Sequence, residues 1–155
     1  MSSVHLIFPH QLFRDSPLFK EKVPLLLVEE HLFFRQYPFH KQKIAFHRAT
    51  MKAYENFLTT EGWEVTYIES ADNNSDVRIL ISVLAQQDVD HINFIDPTDN
   101  WLKKRVLMTC EKHGMSYTIL DSPLFLNSPT DLEDFFKISK KKYHQTSFYT
   151  EQRKK

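Results

Sequence analysis

The chain has 155 residues, a formal net charge of zero and a single cysteine, Cys110. That length fits one domain able to bury roughly 68–70% of its unfolded surface, while the balanced charge gives no global pull toward nucleic acid and the lone cysteine excludes an internal disulfide framework and fits a reducing cytosol. No early apolar run resembles a signal peptide, because His5, Pro9 and His10 interrupt it, and no stretch approaches the roughly 20 apolar residues of a membrane span, so a cytoplasmic protein with no membrane partner is expected.

Val4 to Phe8 reads as a buried strand of β-branched and aromatic residues. A loop from Pro9 to Val23 follows, with a turn signal at Asp15-Ser16-Pro17, and Leu25 to Glu29 reads as a second strand. From about His40 to Glu61, Ile44, His47, Met51, Tyr54 and Leu58 recur at helical spacing on one face. Two features of this helix are unusual. Its apolar stripe contains a histidine, and it opens on Lys41 and Lys43, where the backbone dipole favours anions. Trp63 to Glu69 reads as a third strand, with Trp63, Val65 and Tyr67 on one face, and Ala71 to Ser75 as a polar loop. Asp76 to Gln87 reads as a helix that Ser75 could cap, His91 to Ile95 as a fourth strand, Asp99 to His113 as a helix capped by Asp99 or Thr98, and Met115 to Leu120 as a fifth strand. The only two glycines, Gly62 and Gly114, each close a helical pattern before a strand, the place of a left-handed residue. None is left for a dinucleotide fingerprint or a Walker loop.

Strands alternating with helices predict an α/β fold, a three-layer α/β/α sandwich with a Rossmann-like, mainly parallel five-stranded sheet. Ligands of such sheets bind beyond the carboxyl ends of the strands, near the switch in strand order. Pro9-His10-Gln11 and the aromatic loop His31 to Phe39 are then the expected pocket walls. His47, His10 and Gln11 are candidate ligand contacts, against the alternatives of a half-buried, backbone-bonded histidine and a solvated loop. Phe33, Phe34, Tyr37 and Phe39 could stack on a flat heterocycle, pack in the core or meet a partner. Asp96 and Asp99 could act as acid or base, or cap a helix. No metal is expected, since His31, His40 and His47 lack a carboxylate or cysteine companion, and Cys110 falls in a buried stripe without an activating base.

After Asp121 the character changes. Leu124 to Thr130 reads as a turn, capped at Asn127 or Ser128, into a short helix packed by Leu132, Phe135 and Phe136. From Lys137 to the end seven Lys or Arg face one acid, Glu151. This tail is read as disordered, as a nucleic-acid contact through Lys140, Lys141 and Lys142, or as a linker. The expected division is an α/β domain over 1–130 and a short helix with a basic tail over 131–155.

In order and spacing, the opening strand with Gln11-Leu12, the block His40-Lys41-Gln42-Lys43-Ile44-Ala45-Phe46, Asp96-Pro97, Phe125-Leu126-Asn127-Ser128 and Phe148-Tyr149-Thr150-Glu151-Gln152-Arg153-Lys154 resemble the N-terminal domain of the photolyase-related proteins. Specifically, they resemble the bacterial cryptochrome and photolyase branch that carries an iron–sulfur cluster. The resemblance implies an antenna-type α/β domain of a flavoprotein of light-dependent DNA repair or blue-light sensing, not catalytic alone. It places FAD and the iron–sulfur cluster in a C-terminal domain missing here, with DNA a partner of the full-length parent. It also implies a lumazine- or pterin-like antenna chromophore held by Pro9, His10, Gln11, Phe33, Gln36, His40 and His47. The chain departs from the family pattern at Pro9-His10, Phe33 and His47, which stand where Gly-Asp, an acid and an apolar residue are usual. From the residues alone, a stand-alone small-molecule or nucleotide-binding module and a protein-interaction domain remain alternatives.

Overall fold

The computed structural model describes residues 2–133, 135–137 and 139–154. Five strands, β1 (Ser2–Ile7), β2 (Leu25–Val28), β3 (Val65–Ile68), β4 (Val89–Ile95) and β5 (Ser116–Leu120), form one all-parallel sheet in the order β3-β2-β1-β4-β5. The chain builds outward from β1 in one direction through β2 and β3, then returns to add β4 and β5 on the other side. The order therefore switches between β1 and β4. The central strands read as apolar runs because both of their faces are covered; all four residues of β2 are buried.

The helices are α1 (His31–Phe34), α2 (Lys41–Thr60), α3 (Val77–Gln86) and α4 (Asn100–His113) in the sheet region, then α5 (Pro129–Glu133) and α6 (Gln145–Gln152). One core lies between the sheet and α3 and α4, where Leu6, Phe8, Ile92 and Phe94 meet Leu80, Ile81, Leu102, Val106 and Cys110. The second lies on the opposite face, where Ile7, Leu25 and Leu27 meet Met51, Tyr54 and Leu58 of α2, Phe34 of α1 and Leu18 of a 3-10 turn at Pro17–Lys20. The helical stripe read from Ile44 to Leu58 is thus the core face of α2, with Ile44 and His47 at its half-buried end. Toward the β4–β5 edge this second face turns polar. Ser116 Oγ donates to the Asp90 carbonyl and accepts from His91 Nδ1 at 2.7 Å, while Thr118 Oγ1 lies 2.9 Å from His91 Nε2.

Gly62 and Gly114 both take positive φ, 78° and 64°, as their position after a helix requires. The cap of α3 differs from expectation. Asp76, not Ser75, accepts from the Arg78 amide at 3.0 Å. Ser75 closes a preceding 3-10 turn and spends its hydroxyl on the Ser70 carbonyl, and a carboxylate gains more from a helix N-terminus than a hydroxyl does. Asp99 caps α4, accepting from Leu102 at 2.8 Å.

The chain divides into two compact units, Met1–Ser122 and Pro123–Lys155. In the second, Ser128 and Asp131 cap one another, the Ser128 hydroxyl accepting from the Asp131 amide and the Asp131 carboxylate from the Ser128 amide. Phe136 packs edge-on against Phe135 and tilted against Tyr143 and Phe148, with ring centroids 5.0–5.2 Å apart. The basic tail contains a helix, α6, which its polar-aromatic composition had not announced. Lys155 lies outside the described residues.

Candidate ligand cleft at the switch in strand order

β1 ends at Ile7, and the chain turns at Pro9-His10 directly beside the end of β4, where the strand order switches. Gln11 fixes that turn. Its buried amide donates to the carbonyls of Ile95 and Asp96 at 3.0 and 3.2 Å. His10 completes the clasp, with Nε2 2.8 Å from the Pro97 carbonyl. A carbonyl can only accept, so Nε2 carries the proton. The neutral ring then presents Nδ1 as a bare acceptor, and that atom is buried with no hydrogen-bond partner. Burial holds His10 below the ordinary histidine pKa, in keeping with a neutral ring.

Between this turn and α2 runs a cleft of about 540 Å³ lined by Pro9, His10, Leu12, Phe13, Phe46, His47, Thr50, Ala53, Tyr54 and Phe57. Its walls are mostly aromatic and aliphatic, and no carboxylate, lysine or arginine lines it. His47 projects from α2 because it continues the stripe whose other members pack on the sheet. Its ring lies 6.1 Å from Phe34 and makes no hydrogen bond among the described residues. Burial, then the nearby Lys43 and His10, lower its pKa. The Tyr54 hydroxyl donates to the Phe13 carbonyl at 2.6 Å, tying the turn to the helix at the cleft floor. The arrangement offers flat apolar surfaces and, in His47, an imidazole with no hydrogen bond among the described residues. It can grip a planar, uncharged ring that bonds to that imidazole.

The expected wall residues divide into three groups. Pro9, His10 and His47 line the cleft. Phe33 stands behind it, tilted on His10 with ring centroids 4.9 Å apart, and Gln11 supports it from beneath. Gln36 and His40 are absent from the lining; His40 caps α2, its Nδ1 accepting from the Gln42 amide at 3.2 Å. Lys43, which opens α2 against the dipole, sits 3.8 Å from the Phe39 ring centre. Asp96 pairs with Lys103 at 2.6 Å and accepts from the Thr98 amide. Burial pushes the Cys110 thiol up to about 11. In the second unit, Lys140 donates to the Phe135 carbonyl and covers the Phe135 ring, whereas Lys141 and Lys142 are exposed. Among the described residues no three His, Cys, Asp or Glu side chains gather as a metal site, and no helix is long and apolar enough to cross a membrane.

Sequence reasoning passed over two buried carboxylates beside this site, although Glu29-Glu30 directly after Leu25-Leu26-Leu27-Val28 was a signal for them. Glu29 takes both Arg48 N–H groups, the Tyr67 hydroxyl at 2.6 Å and the Ser70 amide at 2.7 Å. Burial alone would raise its pKa, but these donors outweigh it and hold the carboxyl down at about 2. Glu30 caps α1 through the Leu32 amide, while its Oε1 is buried without a partner. Burial pushes it up to about 7, against the pull of the Leu32 and Val77 amides and of Arg105. α1 carries Phe33 and Phe34, so Glu30 anchors the backing of the cleft.

A family model described as "Deoxyribodipyrimidine photo-lyase-related protein" matches residues 5–155. The chain is 30% identical over 165 aligned positions to "Uncharacterized protein R852" of Acanthamoeba polyphaga mimivirus, an alignment that covers 100% of this chain and 83% of the viral protein.

Proposed function

The chain belongs to the deoxyribodipyrimidine photo-lyase-related protein family, and from that premise we propose that it serves as the N-terminal, antenna-type domain of a photolyase- or cryptochrome-like flavoprotein of the iron–sulfur branch. In this reading it holds a flat heteroaromatic chromophore and does not repair DNA by itself. The observation that carries the reading is the aromatic cleft between the turn after β1 and α2, with the imidazoles of His10 and His47 in its lining.

The residues fit such a chromophore. His10 would flank the ring from the turn after β1, His47 and Phe46 would face it from α2, and Phe13 and Phe57 would close its sides. The absence of a carboxylate from the lining favours a neutral ring over a cationic one. When bound, the chromophore would supply absorption of light and transfer of its energy to a flavin. A four-iron cluster does not fit this chain, which has a single, buried cysteine. The cluster and FAD belong, in this proposal, to a further domain. The exposed run Leu124-Phe125-Leu126 supports docking to such a domain. Lys141 and Lys142 are the cations with which this chain would add to DNA binding by the whole protein.

The test is titration with a ribityl-lumazine, followed by its fluorescence and by absorbance to the red of the protein band. Saturable binding is expected in the native chain and at least a tenfold loss in His47→Trp, whose indole fills the cleft without touching the core. No binding to the native chain, or equal binding by His47→Trp, would overturn the assignment.

A further inference from the structure

The outer surfaces of α3 and α4 enclose a second groove, of about 590 Å³, lined by Arg78, Ile79, Ser82, Val83, Lys104, Arg105, Met108, Thr109, Lys112 and His113. Four of these are Lys or Arg and none is an acid. Arg78 is neutralised by Asp76, bonded at 2.5 Å, but Lys104 and Lys112 have no ion pair or hydrogen bond among the described residues. Between the cations lie apolar side chains that the fold does not cover. Met108 is 68% exposed and Ile79 44%. One turn before Lys104, Trp101 is 58% exposed, so Trp101, Lys104, Met108 and Lys112 run along one outward stripe of α4 at helical spacing.

From this juxtaposition we propose that the α3–α4 groove docks an acidic amphipathic helix of a partner protein. The apolar side chains of that helix would cover Ile79, Val83 and Met108, and its flanking carboxylates would meet Lys104 and Lys112, since Arg105 already faces the buried Glu30 and Asp76. Both layers of the surface are needed to choose the occupant. A nucleic-acid backbone would satisfy the cations and leave the methionine and isoleucine in water. An anionic membrane would have to enter a concavity between two helices, whereas a helix laid along it matches its shape. An unbranched thioether at the centre adapts to the side chains of such a ligand. The surface lies on the opposite face of the sheet from α2 and its cleft, so its occupancy is separate from chromophore binding.

Trp63→Phe leaves Trp101 as the chain's single tryptophan and makes its emission a report on the groove. The full chain carrying that change is titrated with a synthetic helix of leucines on one face and glutamates on the flanks. The same helix with lysines for glutamates, a single-stranded oligonucleotide and phosphatidylglycerol vesicles serve as comparisons. The glutamate helix is expected to bind at least tenfold tighter than the lysine helix. Met108→Asp should remove that binding, and Lys104→Glu with Lys112→Glu should invert the preference; both changes are on the solvent face, and circular dichroism checks that the fold is kept. Equal affinity for the two peptides, or tighter binding of the oligonucleotide or the vesicles that Met108→Asp leaves unchanged, would overturn the proposal.

Discussion

Glu29 and Glu30 are adjacent, fully buried and opposite in their dependence on pH. Alternation along the chain sends one to the α2 face, where Arg48, Tyr67 and Ser70 supply donors, and the other toward α3 and α4, where one oxygen is left without a partner. The carboxyl of Glu29 falls from 4.5 to about 2 on folding, so its stabilisation is complete above pH 4.5 and disappears as pH drops toward 2. That of Glu30 rises from 4.5 to about 7. The folded chain then holds a proton that the unfolded chain has released, and stability declines as pH climbs from 4.5 to 7. In urea unfolding at pH 5, 6, 7 and 8 this decline is set against the gain with pH that burial gives His5, His10 and His47 by lowering their pKa. Glu30→Gln should remove the decline and leave that gain, and be more stable than the native chain at pH 8 by roughly 1–3 kcal/mol, because the amide oxygen can still accept from Leu32 without ionising. A variant that keeps the native slope would show that another group titrates there. Because Glu30 caps the helix bearing Phe33, ligand affinity at the His10 cleft is expected to follow the same group.

Elements were legible where periodicity or punctuation was strong. The five strands, α2, α3 and α4 could be placed because period-two and period-3.6 patterns agreed with the caps around them, and the two glycines marked helix ends that only a residue free to adopt positive φ can close. Single-turn elements were not. α1 has four residues, too few to express a period, and what holds it is the side chain of the residue before it, Glu30. In the cleft, the turn at Pro9-His10 and the stripe histidine His47 were readable from topology and spacing. The tautomer of His10 was not, since it depends on a carbonyl 87 residues away in sequence. Nor could pattern show that Thr98, a β-branched residue, sits at φ 57° in the turn between Asp96 and α4, where its amide bonds to Asp96 Oδ1 at 2.9 Å. Two of the left-handed positions, Gly114 and Thr98, give opposite expectations. Gly114→Ala meets no atom within 4 Å, so its cost is backbone conformation alone, about 1–2 kcal/mol. Thr98→Gly should gain up to about 1 kcal/mol by releasing the strain, less what glycine gives back in unfolded-chain entropy. Urea midpoints of the two variants check both signs.

At the scale of the molecule, the strand order places the cleft. A sheet built outward from β1 in both directions leaves a gap where the chain after β1 and the chain after β4 part, and in this protein the clasp of Gln11 and His10 onto residues 95–97 closes the base of that gap and leaves its α2 side open. The same sheet shows why three long helices suffice for its two faces. On the α2 side, β4 and β5 carry His91, Asn93, Ser116 and Thr118, which bond to one another and need no apolar partner. Both apolar cores are assembled from residues 4–120, entirely within the first unit. It follows that residues 1–122 should fold alone. The fragment is expected to keep the far-UV circular dichroism of a mixed α/β protein, to unfold in one cooperative step, and to lie within about 1 kcal/mol of the full chain in urea. It should also retain the lumazine affinity of the full chain, since every residue lining the cleft is within it. A fragment that folds but binds tenfold more weakly would make residues 123–155 part of the ligand site; one that does not fold would make them part of the sheet's support, so the two readouts together assign the second unit its role.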